Sequence, residues 1–73
     1  MVDRADVLAA VVTEACRRDP SLPEDAAAVL AAKALSSGLT DAAAVARALL
    51  DGEDGLDVSW VNAVAAAVAE LGA

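Results

Sequence analysis

The chain has 73 residues and a formal net charge of -7, and 59% of its residues are hydrophobic, 21 of them alanine. This length allows one small domain. The sequence contains no histidine, which excludes a catalytic histidine, a histidine haem ligand and a zinc site that needs histidine. The five Lys and Arg residues form no basic patch of the kind that follows a phosphate backbone, so we expect no nucleic-acid partner.

The first predicted helix runs from about Arg4 to Arg18. Its apolar residues recur at helical spacing, its first turn is acidic and its last turn is basic, which is the charge order that the helix dipole favours. The following Asp19-Pro20 ends the helix, because the residue before a proline avoids the α-helical region.

The second predicted helix begins at Ser21-Leu22-Pro23-Glu24, where Ser and Glu have the spacing of a capping box. It runs to about Ser36, and Gly38 is the expected left-handed residue that terminates it. The residues expected on its inner face are Leu22, Ala26, Val29, Leu30 and Lys33 or Ala34.

Two further helices complete the prediction. Thr40 is expected to cap a third helix from Asp41 to about Leu50, and Asp57 a fourth from Val58 to Leu71. No segment has the alternating pattern and turn pairs of a β-hairpin, and the connections are short. We therefore predict an all-α fold, a compact bundle of four short helices that forms one domain over residues 1–73.

The single cysteine, Cys16, cannot form an internal disulfide and lies in the apolar part of the first helix. We expect it to pack as a small hydrophobic side chain in a reducing compartment. Charged residues interrupt the N-terminus where a signal peptide needs an apolar core, and the charge-free stretches are too short to span a bilayer. The sequence thus predicts a cytoplasmic protein, without a membrane partner, and its residue usage is typical of a GC-rich bacterial genome.

Carboxylates cluster between the third and fourth helices, at Asp51, Glu53, Asp54 and Asp57. Counted from Asp51, oxygen ligands fall at several positions of an EF-hand loop. The sixth and twelfth positions, however, hold Leu and Asn where that loop needs glycine and a bidentate glutamate. We therefore expect a solvated acidic loop that attracts a basic partner surface, with no metal and no cofactor.

The segment Gly55-Leu56-Asp57-Val58-Ser59 resembles the phosphopantetheine attachment motif of acyl carrier proteins, which are also small, acidic and four-helical. The resemblance implies a carrier subunit of a biosynthetic complex, with Ser59 as the modified residue. In that family the serine follows the aspartate directly and two more helices follow it. Here Val58 separates the two residues and one predicted helix follows, so the carrier is kept as an alternative function.

A further alternative is a helix-turn-helix regulator, because the segment from Leu39 to Leu49 resembles the first helix of that DNA-binding motif. The helix that enters the groove would then be the fourth one, which carries Glu70 and no basic residue. Phosphate groups repel such a helix, so this function ranks below the carrier.

The leading prediction is a non-enzymatic protein-interaction module, such as a small adaptor, docking domain or accessory subunit. The alanine-rich helices are apolar almost all round, and a four-helix monomer is expected to leave part of that surface uncovered. Trp60, the only aromatic residue, either closes one end of the bundle or anchors a partner.

The predicted binding surface combines the apolar face of the last helix with the acidic loop. Its residues are Trp60, Val61, Val64, Val68, Leu71, Asp51, Glu53, Asp54 and Asp57. The expected partner is another protein with a basic or apolar helical surface, or a second copy of the chain.

Overall fold

A computed structural model describes residues 4–51 and 55–71. These residues form four helices and no β-strand: α1 (Arg4–Arg18), α2 (Glu24–Ser37), α3 (Ala42–Leu50) and α4 (Val58–Leu71). The predicted all-α bundle of four helices is confirmed, and the bounds of α1 and α4 agree with the prediction at both ends.

Helices α2 and α4 lie in the middle of the fold. Each of them contacts all three other helices, whereas α1 and α3 lie on opposite sides of this central pair and do not contact each other. A helix with neighbours on three sides buries most of its circumference. The apolar composition of α4 therefore follows from its central position in the bundle. Its buried residues are Val61, Ala63, Val64, Ala65, Ala67 and Val68.

The core contains only aliphatic side chains of modest size. Its largest fully buried residues are Leu49, Val11, Val45, Val61, Val64 and Val68. Buried alanines of α2 and α4 fill the space between them. Alanine loses no rotamer entropy on burial and has the highest helix propensity, so an alanine-rich core favours regular helices in close contact.

Two predicted N-caps are wrong. Helix α2 begins after Pro23, which occupies the N-cap position without a side-chain hydrogen bond, and Ser21 instead donates from its hydroxyl to Asp19 Oδ1 at 2.6 Å. The N-cap of α3 is Asp41 rather than Thr40, since Asp41 Oδ2 accepts a hydrogen bond from the Ala44 N–H at 3.0 Å. At the start of α3, the charged carboxylate of Asp41 is a stronger acceptor for the free N–H than the neutral hydroxyl of Thr40.

Two other predicted helix ends are confirmed. Asp57 Oδ1 accepts a hydrogen bond from the backbone N–H of Ser59 at 2.9 Å, at the start of α4. Gly38 has a φ of 74°, in the left-handed region, and donates its N–H to the Leu35 carbonyl at the end of α2.

The inner face of α2 agrees with the prediction at Leu30 and Ala34 and differs from it elsewhere along the helix. The buried side chains are Ala27, Leu30, Ala31 and Ala34, whereas Val29 is 62% exposed. Lys33 is also exposed and Ala26 is half-buried. The prediction followed the helical spacing through Val29, but the contacts with α1, α3 and α4 select the side of α2 on which the small residues Ala27 and Ala31 allow these helices to approach.

No single described helix is long and apolar enough to cross a bilayer. Helices α2 and α3 reach the required length and hydropathy only as a pair, across a bend of 113°.

Candidate functional site

Most of the predicted binding face of α4 lies inside the fold. Val61 and Val64 are 0% exposed and Val68 is 1% exposed, because the other three helices all pack on α4. The prediction that these three valines bind a partner is therefore wrong for the folded protein. They are core residues, and only opening of the bundle would expose them.

Trp60 and Leu71 lie at the two ends of α4 and differ in surroundings. Trp60 is half-buried against the core, and its indole N–H donates to Ser21 Oγ at 3.3 Å. This contact favours the first of its two predicted roles, closing one end of the bundle. Leu71 is 42% exposed at the C-terminal end of the helix, so it remains accessible.

The structure describes two of the four acidic residues of the predicted site. Asp51 and Asp57 are exposed, and Asp57 is occupied as the N-cap of α4. Glu53 and Asp54 lie outside the described residues. Among residues 4–51 and 55–71, no group of three or more His, Cys, Asp or Glu side chains is placed to hold a metal ion.

Ser59, the candidate carrier serine, is exposed in the first turn of α4. It lines a polar groove between the end of α1 and the start of α4, together with Arg18, Asp19 and Asn62. The guanidinium of Arg18 forms ion pairs with Glu14, at 3.5 Å, and with Glu70. The one basic side chain of this groove is thus already paired within the protein.

Sequence reasoning missed an apolar groove between α1 and α2. The groove has a volume of about 300 Å³, and its lining residues are Ala5, Leu8, Ala32, Leu35 and Ser36. The two leucines pack partly against the core and form its floor, while the two alanines and the serine are exposed. Within the described part of the chain, no charged side chain lines it.

Exposed uncharged residues of α1 and α2 also lie beside this groove. On α2, the exposed residues Val29, Ala32 and Ser36 are spaced by three and four positions, so they lie on one face of the helix. On α1, Ala9 is exposed one turn after Ala5. The groove therefore continues into a larger apolar surface, of which Val29 is the most prominent side chain.

Two other grooves have charged linings. The polar groove at Ser59 contains Arg18 and Asp19, and a third, beside α3, is lined by Leu39, Ala44, Arg47, Ala48 and Asp51. The apolar lining thus distinguishes the groove between α1 and α2 from both.

Little in the sequence could have indicated this groove. Ala5 and Ala32 stand among many alanines, and alanine occurs in this fold both in the core and on the surface. Leu8 fits the helical stripe of α1 like any core residue. Only the packing of α1 against α2 shows that these side chains border an open space.

Comparison with known proteins identifies no relative: no family model matches the chain, and no curated protein and no solved structure is significantly similar to it. Its function is therefore inferred from the fold and from the surfaces of the described residues.

Proposed function

We propose that this chain is a non-enzymatic protein-interaction module, a small adaptor, docking domain or accessory subunit, that binds a helix of a partner protein in the groove between α1 and α2. The observation that carries this proposal is the uncharged lining of an open groove, with Leu8 and Leu35 as its floor and Ala5 and Ala32 as its walls. Apolar grooves between helices bind the apolar face of an amphipathic helix.

The size of the lining residues supports a helix as the ligand. Alanine walls leave room above the floor, which large side chains spaced three and four residues apart on a bound helix would fill. Val29 is 62% exposed beside the groove, and covering it would contribute about 1 kcal/mol to binding. A bound helix would thus bury apolar surface that the four-helix fold leaves in water.

A non-enzymatic role is supported by the nature of the interior. All buried residues of the described part are hydrophobic, and none is polar or charged. Catalytic groups depend on polar side chains that are fixed in a site from which water is excluded. The grooves described above are open, which suits binding of a polypeptide better than a chemical step.

We also propose a cytoplasmic location. Cys16 is a free, half-buried thiol, and its sulfur donates to the carbonyl of Leu22 at 3.6 Å. A reducing compartment keeps such a thiol unmodified, so this feature supports the location that the sequence predicts.

The proposal is tested by placing a charge in the groove. The variant Ala32→Glu puts a carboxylate on its wall, and Ala43→Glu makes the same change at an exposed position of α3. The probe is a designed helical peptide of about 18 residues, or five turns, with leucines on one face and glutamines on the other. Binding is followed by amide NMR of the isotope-labelled protein, and circular dichroism checks that each variant is folded.

We expect peptide-induced shifts at Ala5, Leu8, Ala32 and Leu35. Ala32→Glu should weaken binding about tenfold, equivalent to about 1.4 kcal/mol, because it buries an unpaired charge, while Ala43→Glu should leave the affinity unchanged. Shifts spread evenly over all four helices, or equal affinities for the two variants, would refute the groove as the binding site.

A further inference from the structure

We infer that the helix bound between α1 and α2 is cationic, with Lys or Arg beside its apolar face, and that it belongs to another protein rather than to a second copy of this chain. This inference rests on the proposed function and adds the charge of the partner. It follows from the carboxylates in the first turns of α1 and α2, which a helix lying along the groove would approach, and from the small size of the alanine side chains that line the groove.

The lining residues of the groove show that α1 and α2 are antiparallel. The start of α1 lines it beside the end of α2, so the two helices run in opposite directions. A bound helix that follows the groove therefore passes from the first turn of α1 towards the first turn of α2. Residues near both of these turns decide which charges it meets.

Acidic side chains lie near both ends of this path. Asp6 is exposed in the first turn of α1, next to Ala5, and Glu24 and Asp25 are exposed in the first turn of α2. Asp25 shares the exposed face of Val29 and Ala32, about 10 Å from Ala32 along the helix axis. A bound helix of three turns or more would reach within one Debye length of these carboxylates, which is about 8 Å at physiological salt.

The basic residues offset this charge only in part. Arg17 and Arg18 lie in the last turn of α1, and both form ion pairs with Glu14. Lys33 directly follows Ala32 in the sequence, so its side chain leaves α2 in a direction about 100° away from that of Ala32. Val29 lies between these two directions, so Lys33 is farther from the groove than Val29 is. The exposed carboxylates of Asp6, Glu24 and Asp25 thus favour a positively charged ligand.

A second copy of the chain is a poor occupant for two reasons. A symmetric dimer through this groove would bring Asp6, Glu24 and Asp25 of one copy towards the same residues of the other, and each chain has a net charge of -7. In such a symmetric dimer, each copy would also offer mainly alanines to the groove of the other, and the large apolar side chain beside the groove is Val29, which is 62% exposed. Small side chains cannot fill a groove that is itself walled by alanine.

The test compares three designed peptides with the same leucine face and with Lys, Gln or Glu on the polar face. At low salt we expect the Lys peptide to bind at least tenfold more tightly than the Glu peptide, with the Gln peptide between them. The difference should shrink as salt screens the carboxylates. Amide NMR shifts at Ala5, Ala32 and Leu35 report that each peptide occupies the groove.

A charge reversal near the groove provides a matched comparison. Asp25→Lys should weaken binding of the Lys peptide about fivefold and strengthen binding of the Glu peptide. The control Asp51→Lys makes the same change at the exposed end of α3 and should alter neither affinity more than about twofold, a residual effect of net charge.

Failure of this inference is distinguishable from failure of the proposed function. If the three peptides bind with equal affinity and Ala32→Glu abolishes the binding of all three, the groove remains the binding site and its preference for a cationic helix is overturned. Absence of shifts in the groove with every peptide would overturn the proposed function itself. A dimer in sedimentation equilibrium that Ala32→Glu dissociates would show that the occupant is a second copy.

Discussion

The indole N–H of Trp60, near the start of α4, donates a hydrogen bond to the hydroxyl of Ser21 in the connection between α1 and α2, with 3.3 Å between Nε1 and Oγ. Ser21 in turn donates from its hydroxyl to Asp19 Oδ1 at 2.6 Å. The Trp60 ring packs against the core. Two segments 39 residues apart in the sequence are thereby joined at one end of the bundle.

The role of Trp60 in stability is tested by removing the ring and the hydrogen bond separately. Trp60→Ala is expected to lower the free energy of unfolding by about 2 to 3 kcal/mol, less than for a fully buried ring because Trp60 is half-buried. Ser21→Ala, which removes the hydrogen bond alone, should cost about 0.5 to 1 kcal/mol. Urea unfolding followed by circular dichroism measures both changes, and a stable Trp60→Ala variant would favour the role of partner anchor instead.

The position of the α4 valines in the core predicts a large effect of shortening one of them. Val64→Ala should destabilise the fold by about 1.5 to 2.5 kcal/mol, since it removes buried methyl groups and leaves a cavity. Val29→Ala is the matched control, because Val29 is 62% exposed, and it should change the stability by less than about 0.5 kcal/mol. Similar effects of the two substitutions in urea unfolding would contradict the observed inner faces of α2 and α4.

Substitutions of the adjacent residues Asp41 and Thr40 test which side chain caps α3. Asp41→Ala removes the carboxylate that accepts from the Ala44 N–H and should cost about 1 kcal/mol. Thr40→Ala changes the neighbouring side chain, which was the predicted cap, and should be nearly neutral. Thermal unfolding of both variants measures the difference, and a larger loss for Thr40→Ala would assign the cap to the threonine.

Gly38 at the end of α2 is expected to be required for its backbone conformation alone. Its φ of 74° disfavours other residues, yet a Cβ there would meet no atom within 4 Å. Gly38→Ala should therefore cost about 1 kcal/mol through backbone strain, and Gly38→Asn should cost less, because asparagine tolerates the left-handed region. Chemical unfolding compares them, and equal losses would indicate a steric clash rather than strain.

The helices were predictable because the signals for them are local. The bounds of α1 and α4 depend on nearby residues such as Asp19-Pro20 and the Asp57 cap, which act within one turn of the chain. The caps at Asp41 and Pro23 were missed for an equally local reason. In each case two residues at most two positions apart compete for the N-cap position, and the choice between them depends on backbone geometry that the sequence pattern does not specify.

The candidate site was predicted poorly because it depends on which helix faces meet. Val61, Val64 and Val68 have the same helical spacing whether they face a partner or the core. Two of the five residues that line the groove between α1 and α2 are alanines, which carry almost no information about burial in this chain. Its uncharged lining emerges only when Ala5 and Leu8 are placed beside Ala32 and Leu35.

The amino-acid sequence alone determined that this protein is all-helical, that its helices end at particular residues and that its surface is acidic, because propensity, capping and charge are properties of short segments. Tertiary structure alone decided that α2 and α4 are the central helices and that an apolar groove opens between α1 and α2. The physical reason is that an alanine-rich helix is apolar on nearly every side, so only its contacts with the other helices determine which side is buried.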